Sequence, residues 1–181
     1  MRLQASTDLI AAAVKGGRAD VERLLEAVWP DIYRLAKAIV GLGPNAEDAA
    51  QDACVIVLRK ITSVRRADAF GTWLYRIVLR EALKQKRSQI GSAIPDGSAV
   101  YCEDRAELLD LWSALGALPE HLRTVIVLHY FEDLSSREIG AILRVPEATV
   151  RFRLMTARHR MQPLLQTDQS SPSKGKGLYA V

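Results

Sequence analysis

The stretch SSREIGAILRVPEATVRFRL, Ser135 to Leu154, holds two short helical patterns on either side of a tight turn. Ser135 and Glu138 form S-x-x-E ahead of an apolar run, the pattern in which each side chain satisfies the other residue's backbone N–H. Ile139, Ile142 and Leu143 supply a face for the first helix to bury, and Gly140 is small where two helices must approach. RVPEAT reverses the chain, with Pro146 suited to an early helical position. Val150, Leu154, Ala157 and Met161 recur at four- and three-residue steps and predict the buried stripe of the second helix. Arg151, Phe152, Met155, Arg158 and His159 fall off that stripe and are expected to face outward.

Such a helix fits the major groove, where arginine reads guanine edges and binds phosphate. The alternative is an ordinary helical hairpin with a solvated basic face. Two features favour DNA. Arginines outnumber acids on the second helix, where Glu147 is the acid, and apolar Phe152 and Met155 stand among them. Exposed apolar groups need a partner, and a thymine methyl is one candidate.

The remaining sequence is consistent with an all-helical protein. The chain has 181 residues, 49% hydrophobic and 25% charged, which is globular composition, and its low aromatic content (6%) argues against a sheet protein. The net charge of +4 is modest, so its distribution matters more than its total. Cys54 and Cys102 are far apart and form no C-x-x-C pair, which predicts no disulfide framework and a reducing, cytoplasmic setting. No apolar run reaches the roughly 18 residues of a membrane span, and the start of the chain lacks a signal-peptide core.

Residues 6–40 hold two helical patterns separated by KGGRAD. In the second, Leu24, Leu25, Val28, Ile32, Ala36 and Ile39 make one apolar face; Asp20 is expected at its N-cap, and Pro30 is expected to kink or split it. GLGPN turns the chain, and Asn45 with Asp48 resembles a capping box opening the next helix. That helix carries Glu47, Asp48, Gln51 and Asp52 early, where acids favour the helix dipole; a protein contact could use the same edge, and the residues alone do not choose. A further helix begins near Phe70, with Trp73, Leu74, Ile77, Val78 and Ala82 on one stripe. Arg76, Arg80, Lys84, Lys86 and Arg87 make a cationic front beside Trp73 and Tyr75. Cations can follow a phosphate backbone and aromatics can stack on unpaired bases. A solvated front with Trp73 in the core explains the same pattern.

Composition changes over 88–104, which is rich in Gly, Ser, Pro and Asp and reads as a linker. Helical pattern resumes from 105, with a break at Gly116–Pro119, and the tail from Thr167 shows no packing signal. The expected organisation is therefore a helical domain over 1–87, a flexible linker over 88–104, a helix-turn-helix domain over 105–166 and a disordered tail over 167–181.

In this order the parts resemble the extracytoplasmic-function group of the bacterial sigma-70 family, over about residues 8–165. AEDAAQDACVIVLRK is similar to the family's polymerase-binding helix, FGTWLYRIVLREALKQKR to its minus-10 helix, and LWSALGALPEHLRTVIVLHYFEDLSSREIGAILRVPEATVRFRLMTARHRM to its minus-35 domain. The resemblance implies that Asp48, Gln51 and Asp52 face core RNA polymerase. It implies that Trp73 and Tyr75 shape a site for melted promoter DNA, with Arg76 on the backbone and Arg80, Lys84 and Arg87 continuing the cationic front. Arg151, Phe152 and Met155 would meet the minus-35 groove, with Arg153 nearer the phosphates and Arg158 on the same outward face. It further implies an anti-sigma partner, promoter selection and strand opening without catalysis by this subunit, and neither cofactor nor metal.

Several positions depart from the family pattern. Cys54 and Leu58 stand where large aromatics are usual, Arg80 and Lys84 replace Asn and Asp, and Ala148 and Phe152 replace Gly and Ser. Arg144 stands at a turn position where Gly is common, so its backbone must adopt positive φ or turn differently. The rival reading is a helix-turn-helix regulator that binds duplex DNA as a dimer, which leaves the aromatic and cationic helix unexplained. An enzyme is disfavoured, since His121, His129 and His159 have no metal spacing with either cysteine and no P-loop or catalytic triad is legible.

Overall fold

The computed structural model describes residues 5–41, 43–91 and 113–166. The first half contains α1 (Thr7–Val14), α2 (Arg18–Val40), α3 (Pro44–Lys60) and α4 (Phe70–Gly91), with short helical turns at Ile61–Ser63 and Ala67–Ala69. The second contains α5 (helical over 113–117), α6 (Glu120–Ile126) passing into a wider turn over Val127–Phe131, α7 (Ser136–Leu143) and α8 (Glu147–Gln166). Among the described residues there is no strand, in agreement with the all-α expectation.

In the first half, α2, α3 and α4 pack against one another, and α1 lies on α2. The predicted face of α2 is buried at Leu24, Val28, Ile32, Ala36 and Ile39, while Leu25 is half-buried. The buried stripe of α3 is short: Ala46, Ala49, Ala50 and Ala53 have no exposed surface, which lets the helix axes approach closely. Phe70 and Leu74 close the core from α4. Removing each such large apolar side chain from water contributes about 1.5–3 kcal/mol.

Helix starts differ from expectation in two places. Helix α2 begins at Arg18 behind Gly17, so Asp20 lies inside the first turn, accepting a hydrogen bond from Arg23. Helix α3 begins at Pro44 behind Gly43 with no side-chain cap, so Asn45 is already helical. Proline needs no N–H donor in the first turn, so the helix opens ahead of Asn45 and the expected box does not form. Pro30 leaves α2 unbroken. It is exposed, so water can satisfy the carbonyl that its missing N–H leaves open.

In the second half, α8 crosses α6 and α7 over a core of Leu122, Val125, Leu128, Ile139, Val150, Leu154 and Ala157. The expected break at Gly116–Pro119 is shorter in the structure: Gly116 and Ala117 still belong to α5, and Leu118 and Pro119 separate it from α6. The two halves touch: α7 packs on α4, and the wide turn at Val127–Phe131 packs on α2. Helix α4 runs to Gly91, so the first residues expected in the linker are helical. The rest of that linker, Cys102 and the tail expected to be disordered lie outside the described residues.

Candidate nucleic-acid interface

The hairpin at Ser135–Leu154 owes its shape to three local devices. The Ser135 hydroxyl accepts from the Glu138 N–H at 3.3 Å, and the Glu138 carboxylate accepts from the Ser135 N–H at 2.9 Å, closing the predicted box. Arg144 takes the left-handed conformation at φ 57°, ψ 45°, ending α7 where a glycine would be unstrained. A Cβ on Gly140 would lie 2.8 Å from the Val145 carbonyl oxygen, so only hydrogen fits where α7 meets the turn.

These devices fix the angle of α8. Val150, Leu154, Ala157 and Met161 are buried as predicted, which turns Arg151, Phe152, Met155, Arg158 and His159 to solvent. Phe152 is 64% exposed and Met155 60%, unusual for apolar side chains of this size. Arg151 pairs with Glu147 one turn earlier, and Arg153 is half-buried at the helix flank. Arg158 donates from Nε to the Tyr130 hydroxyl at 2.7 Å and lies over that ring at 5.6 Å. Beneath Tyr130 opens an apolar groove of about 370 Å³ lined by Leu115, Ile126, Phe131 and Met161.

On α4 the predicted front divides. Arg80 and Lys84 have exposed side chains (63% and 67%), both tied to the buried Glu81 carboxylate. Lys84 also reaches Asp52 at 3.7 Å. Trp73 is half-buried beside Phe70, ring centroids 6.0 Å apart. Tyr75 is turned inward, 5% exposed, and donates its hydroxyl proton to Glu132 Oε2 at 3.0 Å. Arg76 donates to the carbonyls of Ala141 at 2.6 Å and Ile142 at 3.1 Å, at the end of α7. Arg87 pairs with Glu120 at 3.1 Å. Tyr75, Arg76 and Arg87 therefore meet the second half of the chain.

The residues around Tyr75 form a buried polar knot. Glu132 has no exposed surface, and Arg34 of α2 reaches it at 3.4 Å while holding Asp31 at 2.8 Å. Burial raises the Glu132 carboxyl pKa, and the nearby Arg34 cation opposes the shift. Burial, with the Glu132 charge beside it, likewise pushes the Tyr75 phenol up. Burial alone raises the half-buried Cys54 thiol to about 11, which favours its protonated form.

On α3, Asp48 and Gln51 are exposed and Asp52 is half-buried, all on one side of the helix. Gln51 donates to Glu47 at 3.3 Å. The same side continues into Val55 (43% exposed) and Leu58 (54%), apolar residues outside the expected polar set. Their signal is in the spacing: Gln51, Val55 and Leu58 recur at helical steps off the alanine stripe. Among the described residues, no group of three His, Cys, Asp or Glu side chains could hold a metal, and no helix is long and apolar enough to cross a membrane.

Comparisons with known proteins follow the same division. Residues 24–90 match the family profile Sigma-70 region 2, and residues 108–161 match Sigma-70, region 4. RNA polymerase sigma factor SigV of Bacillus subtilis is 32% identical over 146 residues, covering 78% of this chain and 88% of that protein. ECF RNA polymerase sigma factor SigW of the same organism is 31% identical over 176 residues, covering 84% and 93%. A solved structure of the sigma factor RpoE with the anti-sigma factor NepR from Bartonella quintana superposes with a TM-score of 0.67. It shares 25% identity and covers 82% of this chain and 98% of that one.

Proposed function

The chain belongs to the extracytoplasmic-function sigma factors of the sigma-70 family, and on that basis we propose how its residues share the work of transcription initiation. The polymerase performs the chemistry in the cytoplasm, and this subunit selects the promoter and helps open it. The observation that carries the reading is the outward face of α8. A rigidly capped hairpin holds Phe152 and Met155 exposed among arginines, and a duplex edge supplies both the phosphates and the thymine methyls such a face needs.

Within this reading the domain over 105–166 reads the minus-35 element with Arg151, Phe152 and Met155. Arg153 and Arg158 contact the flanking backbone. The domain over 1–87 binds core polymerase through Asp48, Gln51 and Asp52, and we add Val55 and Leu58 as the apolar part of that contact. Trp73, Tyr75, Arg76, Arg80, Lys84 and Arg87 engage the melted minus-10 strand, where a base taken out of the stack holds the open state. The anti-sigma factor bound to the Bartonella quintana relative supports a partner of that kind here. The groove beneath Tyr130 suits an apolar helix of such a partner.

The test is reconstituted transcription with core RNA polymerase on genomic fragments of the host. Promoter-specific starts are expected, with Arg151→Ala and Asp52→Ala each lowering them at least about tenfold, the loss of one good base or interface contact. Binding to a palindromic duplex without joining polymerase would replace this reading by the dimeric regulator.

A further inference from the structure

The two exposed cations of α4, Arg80 and Lys84, rest on one buried carboxylate. Glu81 is 5% exposed, and both of its oxygens are engaged. Oε1 accepts from Arg80 Nε at 2.9 Å, and Oε2 accepts from Lys84 Nζ at 3.4 Å. A carboxylate taken out of water needs cations beside it, so these contacts belong to the packing of the helix. Lys84 also pairs with Asp52 of α3 at 3.7 Å. The charges of Arg80 and Lys84 are thus matched by those of Glu81 and Asp52, and the cluster is neutral.

Neutrality removes most of the field that draws a phosphate backbone, which responds to net positive charge. It leaves the direction of the donors intact. Arg80 gives Glu81 the Nε side of its guanidinium, while the side chain is 63% exposed and its two terminal nitrogens have no hydrogen bond among the described residues. A guanidinium held by one edge offers the opposite edge as a planar fork of donors. Holding it in advance also spares part of the rotamer freedom that a long side chain loses on binding. Such a fork matches two acceptors side by side. Guanine has them in O6 and N7, whereas adenine sets an N6 donor beside N7. Cytosine presents an N4 donor, and thymine a single O4 acceptor beside its methyl group.

We propose that Arg80 reads a guanine in the minus-10 element and that Glu81 is the positioning residue that aims it. The proposal rests on the strand-facing role given above to α4 and narrows that role to one base and one anchoring carboxylate. Lys84 occupies the second oxygen of Glu81, which keeps the carboxylate from drawing in the rest of the Arg80 guanidinium.

The experiment uses the holoenzyme, core RNA polymerase with the full-length chain, on a promoter found among genomic fragments of the host. Each minus-10 position is varied through all four bases, and transcript yield is read. The native chain should show one position at which guanine exceeds adenine by about tenfold or more, the discrimination of one bidentate contact. Arg80→Gln should reverse that order, because an amide matches N6 and N7 of adenine, and Arg80→Ala should level the bases at that position alone. Glu81→Gln keeps the size of the side chain and should cut the guanine preference about fivefold, the cost of freeing one long side chain. Glu81→Asp, which withdraws the charge by one methylene, should show the same loss and serves if Glu81→Gln does not fold. Lys84→Met should lower yield on all four bases and keep the preference. A purely structural role for Glu81 would lower yield on all four bases alike and overturn its part. If Arg80→Ala weakens every base equally and reduces the salt slope by about one phosphate contact, Arg80 grips the backbone; the proposal then falls while the strand role of α4 stands. If Arg80→Ala changes nothing at any base, the strand role of Arg80 falls as well.

Discussion

Glu132 is surrounded by Arg34 and Asp31 from α2 and the Tyr75 phenol from α4, with no exposed surface of its own. Folding raises its pKa above the ordinary 4.5, so the folded chain holds that proton more tightly than the unfolded one. The stability this gives is fully present below the ordinary value and is lost as the pH climbs through the raised one. Glu132→Gln has no proton to lose there. Urea unfolding of the native chain should therefore show stability declining as the pH rises above about 4.5, and the variant should show a flatter profile over that rise. Equal slopes would mean that the knot does not titrate in that window.

At the scale of the element, the hairpin is held by a few atoms rather than by a large core. The Ser135 hydroxyl satisfies one N–H of α7, and Ser135→Ala should cost about 1 kcal/mol in urea unfolding. Gly140 faces a backbone oxygen that cannot move without moving the turn, so Gly140→Ala should cost more, about 2 kcal/mol. Because the same turn sets the angle of α8, Gly140→Ala should also weaken promoter-dependent transcription more than Ser135→Ala does. A variant that loses stability but keeps full promoter activity would separate the turn from the recognition face.

For the whole molecule, Arg123 is the central tie. The residue is 6% exposed, and its guanidinium donates to Leu115 at 2.6 Å, to Leu118 at 2.9 Å and to Gly116, besides Ile39 across the interface. Burial lowers its pKa, and four carbonyls compensate for the lost hydration. Arg123→Met strands those carbonyls and should destabilise the chain by about 3 kcal/mol. Thermal unfolding should then show the second half melting earlier than the first, since three of the four acceptors lie in that half, Leu115 and Gly116 in α5 and Leu118 just after it. A single cooperative shift of both halves would instead show that the Ile39 contact couples them throughout.

Much of the architecture was already readable in the chain. The apolar steps of α2 and α8, the S-x-x-E box, the small residue at Gly140 and the strained turn at Arg144 are local patterns whose physics acts within a few residues. The outward set on α8 follows from the same periodicity, because burying one stripe exposes the other. Helix starts behind Gly17 and Gly43 were less legible, since proline and glycine can open a helix without any side-chain signal. What only the tertiary structure decided is the fate of α4. Periodicity predicts one cationic front, yet Tyr75 is buried, Arg76 caps α7 and Arg87 meets Glu120, while Arg80 and Lys84 remain exposed. The partners of those side chains are 33 to 66 residues away in sequence, and helical periodicity carries no information about them.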